Sequence, residues 1–281
     1  MEIKPITANI GAEVHGVDLS TPIDAAMKER IGELLVEHQV IFFPRQTMSA
    51  DDHVALGRCF GELQTEHPAY LRTLDEDHPE IIVIESDESR PVGVADRADV
   101  WHTDVTFHER PPTGSILHMQ KIPDTGGDTL WVSLSAAYDA LSDSMKNYLA
   151  PLRAVHDVTP TLLEYAADLS VPAEATLDFA KRFPKSEHPV VRTHPTTGRK
   201  GLFVNRTFTS HLVGVPRDES DAILEFLYAH SIKPEFSVRR RWSEGDVGIW
   251  DNRCTLHYAV NDYGKQARRI HRVTILGERP S

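Results

Sequence analysis

The sequence predicts a mixed α/β fold with a mainly β core, and two observations carry that prediction. Short apolar runs recur along the chain, which is typical of buried strands. Between them lie amphipathic segments whose apolar residues have helical spacing. Many short strands with helices in the connections indicate a β-sandwich or a jelly roll with helical additions.

Helices are predicted from capping residues and from apolar residues three and four apart. The first helix is expected to begin at Thr21, and the second at Ser49, with Asp52 at the spacing of a capping box. The next begins at Ser133 or Ser135 and extends to about residue 141. The remaining helical segments are predicted to end near 149 and to cover 172–183 and 218–230.

Strands are predicted where short apolar or alternating runs lie between turn residues. The glycine pair Gly126-Gly127 is followed by one such strand, which carries the hydroxyl group of Thr129. The other predicted strands cover 40–43, 81–84, 236–242, 247–250 and 273–276. Residues 86–100 are polar and are expected to form a long loop, either a lid or a plain connection.

Length and charge limit the possible functions. The chain has 281 residues and a formal charge of −12, and no repeat or linker divides it, so we predict a single domain over 1–281. The negative charge argues against nucleic acid and anionic membranes as partners. The first residues lack the apolar segment of a signal peptide, and no long apolar run follows, which predicts a cytoplasmic protein. Cys59 and Cys254 are predicted to be reduced.

A possible metal site begins with His102 and Asp104. Residues two apart on a strand point to the same face, so these side chains can act as neighbouring ligands. His257 can complete a set of two imidazoles and one carboxylate on one face of a metal ion, leaving the opposite face open for substrate and dioxygen. The alternative is a histidine at a strand end beside a capping or turn aspartate, since this spacing also arises by chance.

Two arginines beyond His257 favour an anionic ligand. Arg268 and Arg272 lie 11 and 15 residues beyond His257, and a guanidinium group binds carboxylates with two hydrogen bonds. An iron oxygenase needs electrons, which a bound 2-oxo acid supplies. The far carboxylate of that acid needs a cation to hold it.

The chain resembles the Fe(II)/2-oxoglutarate-dependent taurine dioxygenase family from Ile10 to Gly277. The resemblance rests on five segments that occur in the family order, which together are far more specific than the His-x-Asp spacing. These segments are W-H-T-D-V-T-F at 101–107, G-G-D-T-L-W at 126–131, H-P-V-V-R-T-H-P at 188–195, W-D-N-R-x-x-x-H at 250–257 and H-R-x-T-I-L-G at 271–277.

The resemblance implies a double-stranded β-helix (jelly roll) with helical insertions, and it implies residue roles. His102, Asp104 and His257 would bind Fe(II), and Thr129 with Arg268 would hold the distal carboxylate of 2-oxoglutarate. The substrate-binding residues would be His67, Tyr70, Phe208 and Arg272, with Arg272 facing the sulfonate of the substrate. Each has a plainer alternative, since Arg272 could be a surface charge, His67 a turn residue and Phe208 ordinary core. We expect His188, His194 and His271 to be structural.

The family reaction uses Fe(II), 2-oxoglutarate and dioxygen. It hydroxylates the carbon next to the sulfonate of taurine or a related alkylsulfonate, and releases sulfite and an aldehyde with succinate and CO2. This chain departs from the taurine pattern at Ala98, where the family has an asparagine, and at Leu162, where it has a pocket phenylalanine. These departures put the amine-recognising half of the pocket in doubt.

Other functions remain open on the sequence alone. The same chemistry could act on an alkyl sulfate ester or a carboxylate. Two histidines and an aspartate could also form the site of a zinc hydrolase, and the same barrel could serve a binding protein without activity. The family resemblance implies a homodimer or homotetramer.

Overall fold

The computed structural model describes residues 1–66, 72–88, 98–168 and 173–281. The helices within these ranges are α1 Ala25–His38, α2 Ala50–Arg58, α3 Leu134–Asp139, α4 Asp143–Leu149, α5 Thr159–Asp168, α6 Ala173–Ala180 and α7 Arg217–Ser231. The strands are β1 Glu2–Pro5, β2 Ala12–His15, β3 Val40–Phe43, β4 Arg72–Thr73, β5 Ile82–Ser86, β6 Gly114–Lys121, β7 Thr129–Ser133, β8 Arg153–His156, β9 Ser186–Pro189, β10 Val191–Thr193, β11 Lys200–Leu202, β12 Thr209–Leu212, β13 Ser237–Arg240, β14 Val247–Asp251, β15 Thr255–Ala259 and β16 Arg268–Ile275. The fold is therefore mixed α/β, as predicted.

The larger sheet has eight strands in the order β1-β2-β3-β14-β6-β16-β5-β4. Its pairs are antiparallel, except that β2 runs parallel to β3. The last strand of the chain, β16, therefore lies inside the sheet between β5 and β6. Strand β14 pairs with the opposite edge of β6, so two strands from the C-terminal part of the chain flank β6 in the centre of this sheet.

A smaller sheet with the order β13-β7-β15 faces the larger one. Aromatic rings fill the space between them: Phe42 of β3 lies 5.4 Å from Trp131 of β7, and Trp131 lies 6.0 Å from Trp250 of β14. Trp242 packs against Phe42 in the same layer. It also touches Gly248, where an added Cβ atom would approach its ring to 2.8 Å. The glycine thus makes room for an indole between the sheets.

Helices cover the outer surfaces of these sheets. Ile31 and Leu34 of α1 are fully buried against the outer face of the larger sheet. Helices α3 and α7 pack around a separate apolar cluster beside β7 and β15. Two further small sheets, β12-β8-β9 and β10-β11, lie among the helical insertions.

The capping box at Ser49 is confirmed, since its hydroxyl group accepts from Asp52 N while the Asp52 carboxylate accepts from Ser49 N. The prediction for the first helix is wrong by one turn. Helix α1 begins at Ala25 because the carboxylate of Asp24 caps it, accepting from Met27 N at 2.8 Å. Thr21 instead donates to a carbonyl in the preceding turn.

Ser133, one of the two predicted caps, caps α3. The run predicted over 236–242 pairs only from Ser237 to Arg240. Strand β6 was not predicted at all. Cys59 and Cys254 are free thiols. Among the described residues, none of the helices is long and apolar enough to cross a bilayer.

Candidate metal centre and anion sites

The two candidate histidine ligands are held side by side by their own backbones. His102 N donates to His257 O at 3.1 Å, and His257 N donates to His102 O at 2.8 Å. His257 lies on β15 opposite Trp131 of β7, so this exchange attaches the segment around His102 to the edge of the smaller sheet. The two imidazole rings are consequently 4.1 Å apart between centroids.

Asp104 completes the group. Its Oδ1 atom lies 3.7 Å from His102 Nε2 and 3.7 Å from His257 Nε2. These separations are too long for direct hydrogen bonds. They suit three atoms that share one ion. All three residues are at most half-exposed, and Asp104 and His257 are buried.

The protonation states of the group are those that a metal requires. His102 Nδ1 lies 2.7 Å from Val100 O, and because a carbonyl only accepts, Nδ1 carries the proton and Nε2 offers a lone pair. Burial lowers the pKa of His102, and burial with the neighbouring imidazole lowers the pKa of His257 to about 3. Burial alone would raise the pKa of Asp104, but the opposing effect of Arg272 and the two histidines is larger. The pKa is therefore lowered overall, and the carboxyl group is ionised.

Two neutral imidazoles and one carboxylate fit an iron(II) ion with open positions, and the same donors fit zinc. The structure thus brings together the three predicted ligands. It also places Ser115 Oγ 3.4 Å from the second oxygen of Asp104, a contact that the sequence analysis missed.

Arg268 is a buried cation beside a cavity. It is 7% exposed, donates to Gly127 O at 3.3 Å, and lies over the ring of Tyr263. Burial lowers the pKa of its guanidinium group, although an arginine stays charged at neutral pH. Among the described residues no carboxylate pairs with Arg268, so a bound anion would compensate its charge. The cavity is open to solvent, encloses with its mouth about 400 Å³ of space, and includes Ser86 and Ala98 in its lining.

Thr129 is connected to the same region through the smaller sheet. It begins β7 and lies opposite Ala259, two residues beyond His257. Its hydroxyl group accepts a hydrogen bond from Trp242 Nε1 at 2.9 Å, which leaves the hydroxyl proton free to donate elsewhere. No direct contact joins Thr129 to Arg268 within the described part of the chain.

Arg272 lies at the metal group itself. Residues two apart on β16 share a face, so Arg268, Ile270 and Arg272 all point between the two sheets. Arg272 Nη1 is 3.6 Å from Asp104 Oδ1. The alternative that Arg272 is a surface charge does not fit, because only 19% of its side chain is exposed.

Phe208 lies in an aromatic cluster with Phe107 and Phe183. The ring of Phe107 is 5.0 Å from that of Phe208 and 5.6 Å from that of Phe183. Because Phe107 follows Asp104 by three residues, this aromatic cluster adjoins the metal-binding segment. Leu162 is half-buried on α5.

Two predicted pocket residues, His67 and Tyr70, lie outside the described residues, as does 89–97 of the predicted loop. Ala98 is described, and its carbonyl accepts from Ala259 N at 2.8 Å. Ala98 also lines the cavity beside Arg268, at the position where the family pattern has an asparagine.

The three histidines predicted to be structural lie away from the metal group. His188 Nε2 lies 2.9 Å from the carbonyls of Thr106 and His108, and His271 lies on β16 opposite His118. His194 belongs to a second buried group with Asp251 and Cys254.

That second group is already satisfied by protein contacts. Arg253 binds the Asp251 carboxylate with two nitrogens, at 2.9 and 2.6 Å, and His194 Nε2 is 2.9 Å away. Although burial acts to raise it, these contacts hold the pKa of Asp251 far below its usual range. Burial raises the pKa of Cys254, so its thiol is protonated. A cation would compete with Arg253, which makes this group an ion-pair network.

Comparison with known proteins agrees with this geometry. Residues 2–274 match the family described as taurine catabolism dioxygenase TauD, TfdA family. The chain is 38% identical to an alpha-ketoglutarate-dependent sulfate ester dioxygenase of Pseudomonas putida, over 100% of this chain and 91% of that protein. It is 36% identical to an alkylsulfatase of Acinetobacter baylyi, over 99% of this chain and 86% of that protein.

A solved structure of a related protein has the same fold. A taurine dioxygenase from Burkholderia xenovorans superimposes with a TM-score of 0.83 and 37% identity, covering 99% of this chain and 90% of that one. With nearly the whole sequence matched and the metal-binding segment in place, the chain belongs to the taurine catabolism dioxygenase TauD, TfdA family.

Proposed function

We propose that this protein hydroxylates the carbon next to the sulfur-containing group of a small alkylsulfonate, with taurine or a longer sulfonate as substrate. It is a 2-oxoglutarate-dependent dioxygenase that uses Fe(II), 2-oxoglutarate and dioxygen. The product of a sulfonate would break down to sulfite and an aldehyde, which for taurine is aminoacetaldehyde. The observation that carries the proposal is Arg272, whose guanidinium group lies 3.6 Å from the carboxylate of Asp104 and offers an anion a place beside the metal group.

The roles of the residues follow from their positions. His102, Asp104 and His257 would hold the iron. Iron with 2-oxoglutarate supplies the activation of dioxygen, in which the co-substrate is oxidised to succinate and CO2. Arg268 and Thr129 would bind the far carboxylate of that co-substrate, because a buried cation without a carboxylate partner needs one.

The remaining residues would orient the substrate. Arg272 would bind the sulfo group through charge-assisted hydrogen bonds. The aromatic cluster of Phe107, Phe183 and Phe208 would cover the carbon chain and exclude water. His67 and Tyr70 are proposed to line the same pocket.

A second candidate substrate is an alkyl sulfate ester, and the aromatic cluster favours it. Phe107 and Phe208 offer no charged or amide group to an amine, whereas they suit an apolar tail. One relative is named an alkylsulfatase and another an alpha-ketoglutarate-dependent sulfate ester dioxygenase. Hydroxylation of the carbon that bears the ester oxygen would release sulfate in place of sulfite.

One experiment separates these substrates. Purified protein with Fe(II), ascorbate and 2-oxoglutarate is supplied with taurine, hexanesulfonate, hexyl sulfate or hexanoate, and succinate, sulfite and sulfate are measured. Sulfite from a sulfonate supports the first proposal, and a higher kcat/KM for hexyl sulfate with sulfate release supports the second. A preference for hexanoate would assign a carboxylate substrate. If none of the compounds stimulates succinate formation, the proposed chemistry is wrong.

A matched variant tests the aromatic cluster. Phe208→Ala should lower kcat/KM for a six-carbon substrate by about tenfold, because a buried aromatic ring is lost, and should change taurine turnover much less.

The proposal assigns residues 1–281 to one dioxygenase domain with two facing sheets in a jelly roll. A cytoplasmic location and a homodimer or homotetramer stay predictions.

A further inference from the structure

The residue after the candidate aspartate ligand has an unusual backbone conformation. Val105 has a φ angle of 53°, in the left-handed region that β-branched residues rarely occupy. It is half-buried and follows Asp104 directly. A strained residue persists only where its surroundings hold it, so the contacts on either side of Val105 have to do so.

On the N-terminal side, the holding contact is the side chain of Asn252. Its Oδ1 accepts from Asp104 N at 2.9 Å, and its Nδ2 donates to Asp104 O at 3.1 Å and to Pro112 O at 3.1 Å. One amide group therefore binds both backbone polar groups of Asp104, as a neighbouring strand would. Asn252 is fully buried and three of its hydrogen-bonding positions are used.

On the C-terminal side, Thr106 is fixed by other elements. Its hydroxyl group accepts from Asn205 Nδ2 at 3.0 Å and lies 2.9 Å from His156 Nδ1. Its carbonyl lies 2.9 Å from His188 Nε2. With Thr106 anchored in this way, loss of the Asn252 contacts would let the strain at Val105 relax by moving Asp104.

We propose that Asn252 is a positioning residue for the metal group, and that it works by holding Asp104 against the strained turn at Val105. The inference rests on the proposed metal centre, because it concerns the direction of the Asp104 carboxylate toward His102 and His257. Among the described residues, the side chain of Asn252 forms hydrogen bonds only with backbone atoms of Asp104 and Pro112. Its effect passes through the backbone of Asp104.

The test measures binding of Co(II) to the metal-free protein by calorimetry and by the visible absorption of bound Co(II), with thermal unfolding in parallel. Asn252→Ala should weaken Co(II) binding by about 10- to 100-fold, the range typical of residues that orient metal ligands. Val105→Gly alone should change affinity less than about threefold, because glycine adopts a positive φ angle without strain.

The double variant Asn252→Ala with Val105→Gly distinguishes positioning from a general structural role. If Asn252 acts against the strain, the glycine should restore at least about threefold of the lost affinity. Leu34→Ala is the matched control, because Leu34 lies on the buried face of α1 in an apolar cluster that contains none of the metal ligands. It should lower the unfolding temperature and leave Co(II) affinity unchanged.

Two results would overturn the inference: an Asn252→Ala protein that binds Co(II) as tightly as the wild type, or a double variant no better than the single one. If Asn252→Ala does not fold, Asn252→Ser leaves a smaller gap, and the same loss and rescue are expected of it. His257→Ala should abolish the signal. A wild-type protein that does not bind Co(II) would refute the metal centre itself, which is distinguishable from failure of the role of Asn252 alone.

Discussion

Arg268 and Arg272 share the inner face of β16, yet their surroundings differ. Arg272 has the carboxylate of Asp104 beside it, whereas Arg268 has a backbone carbonyl and the ring of Tyr263. Arg272 is therefore placed to hold an anion beside the metal group, and Arg268 one in the cavity that it borders. We therefore expect substitutions of the two arginines to affect different reactants.

Replacement of Arg268 by lysine should weaken the binding of 2-oxoglutarate. Lysine keeps the charge but cannot form two parallel hydrogen bonds with a carboxylate, so KM for 2-oxoglutarate should rise by about 10- to 100-fold. Succinate formation measured against 2-oxoglutarate concentration gives this value, with Thr129→Ser as a milder control that keeps the hydroxyl group. An unchanged KM in Arg268→Lys would assign the co-substrate to another cation.

Replacement of Arg272 by glutamine should act on the substrate. Loss of a charged hydrogen bond costs about 1.5–3 kcal/mol, so kcat/KM for the preferred sulfonate or sulfate should fall by at least about tenfold. Slow succinate formation without substrate should continue, because Arg268 and the metal ligands remain. If that background reaction disappears while substrate binding persists, Arg272 serves the metal group instead.

At the level of elements, local contacts were predictable and distant ones were not. The capping box at Ser49 depends on residues three apart, so its sequence pattern was sufficient. The start of α1 was misplaced because Asp24 competes with Thr21 as a cap, and both residue types suit the position. Strand β6 was missed because its seven polar and apolar residues after Gly114 do not alternate cleanly, as is usual for a strand buried on both faces.

In the candidate site, too, local contacts were predictable from the sequence and distant contacts were not. His102 and Asp104 could be paired from their spacing. The strand expected there is absent, however, because His102 forms only an isolated bridge with His257 and Asp104 begins a turn. The contact of Asn252 with Asp104 joins residues far apart in sequence and depends on how two loops meet. The left-handed conformation of Val105 could not be predicted either, because valine disfavours it and only the surrounding contacts impose it.

His53 of helix α2 is a buried titratable residue that contacts the larger sheet. His53 is fully buried, and its Nε2 donates to Ile116 O at 3.2 Å. Its ring lies 6.0 Å from that of His118 on β6, which pairs with His271 on β16. Burial and the positive charge that His118 would carry lower the pKa of His53 to about 3, and burial with Arg269 lowers that of His271 to about 4.

These pKa values predict acid sensitivity. An unfolded histidine has a pKa near 6.5, so the unfolded chain binds more protons between pH 6.5 and about 3. The stabilising contribution is present above pH 6.5 and is lost as the pH falls toward 3. The free energy of unfolding should decrease by about 1.4 kcal/mol per pH unit for each such histidine.

The matched variant is His53→Gln, which keeps a donor for Ile116 O but does not titrate. Denaturant unfolding at pH 7, 6, 5 and 4.5 should give a shallower loss of stability in this variant than in the wild type. Equal slopes would show that His53 is not responsible for the acid sensitivity.

At the scale of the whole molecule, the metal group lies where the smaller sheet meets the segment that carries His102. Apolar packing on both sides of the sheets holds the framework without the ion. Ligands that bind only the folded state nevertheless add stability. The folded protein should therefore exist without metal and become more stable with it.

Addition of Mn(II) at about 100 times its dissociation constant should raise the free energy of unfolding by about 2.7 kcal/mol. For a chain of this size, the unfolding temperature should then rise by several degrees. Differential scanning calorimetry measures the shift, a chelator should reverse it, and His257→Ala should not show it. A wild-type protein whose unfolding temperature does not respond to the metal would contradict the proposed centre.

The backbone exchange between His102 and His257 has a consequence for how the protein is made. The two residues lie more than half the chain length apart in sequence, so their pairing closes a long loop. Contacts of this kind form late and slowly. A nascent chain that has not yet released β15 from the ribosome therefore lacks His257, and we expect the complete ligand set to form only after that strand has emerged.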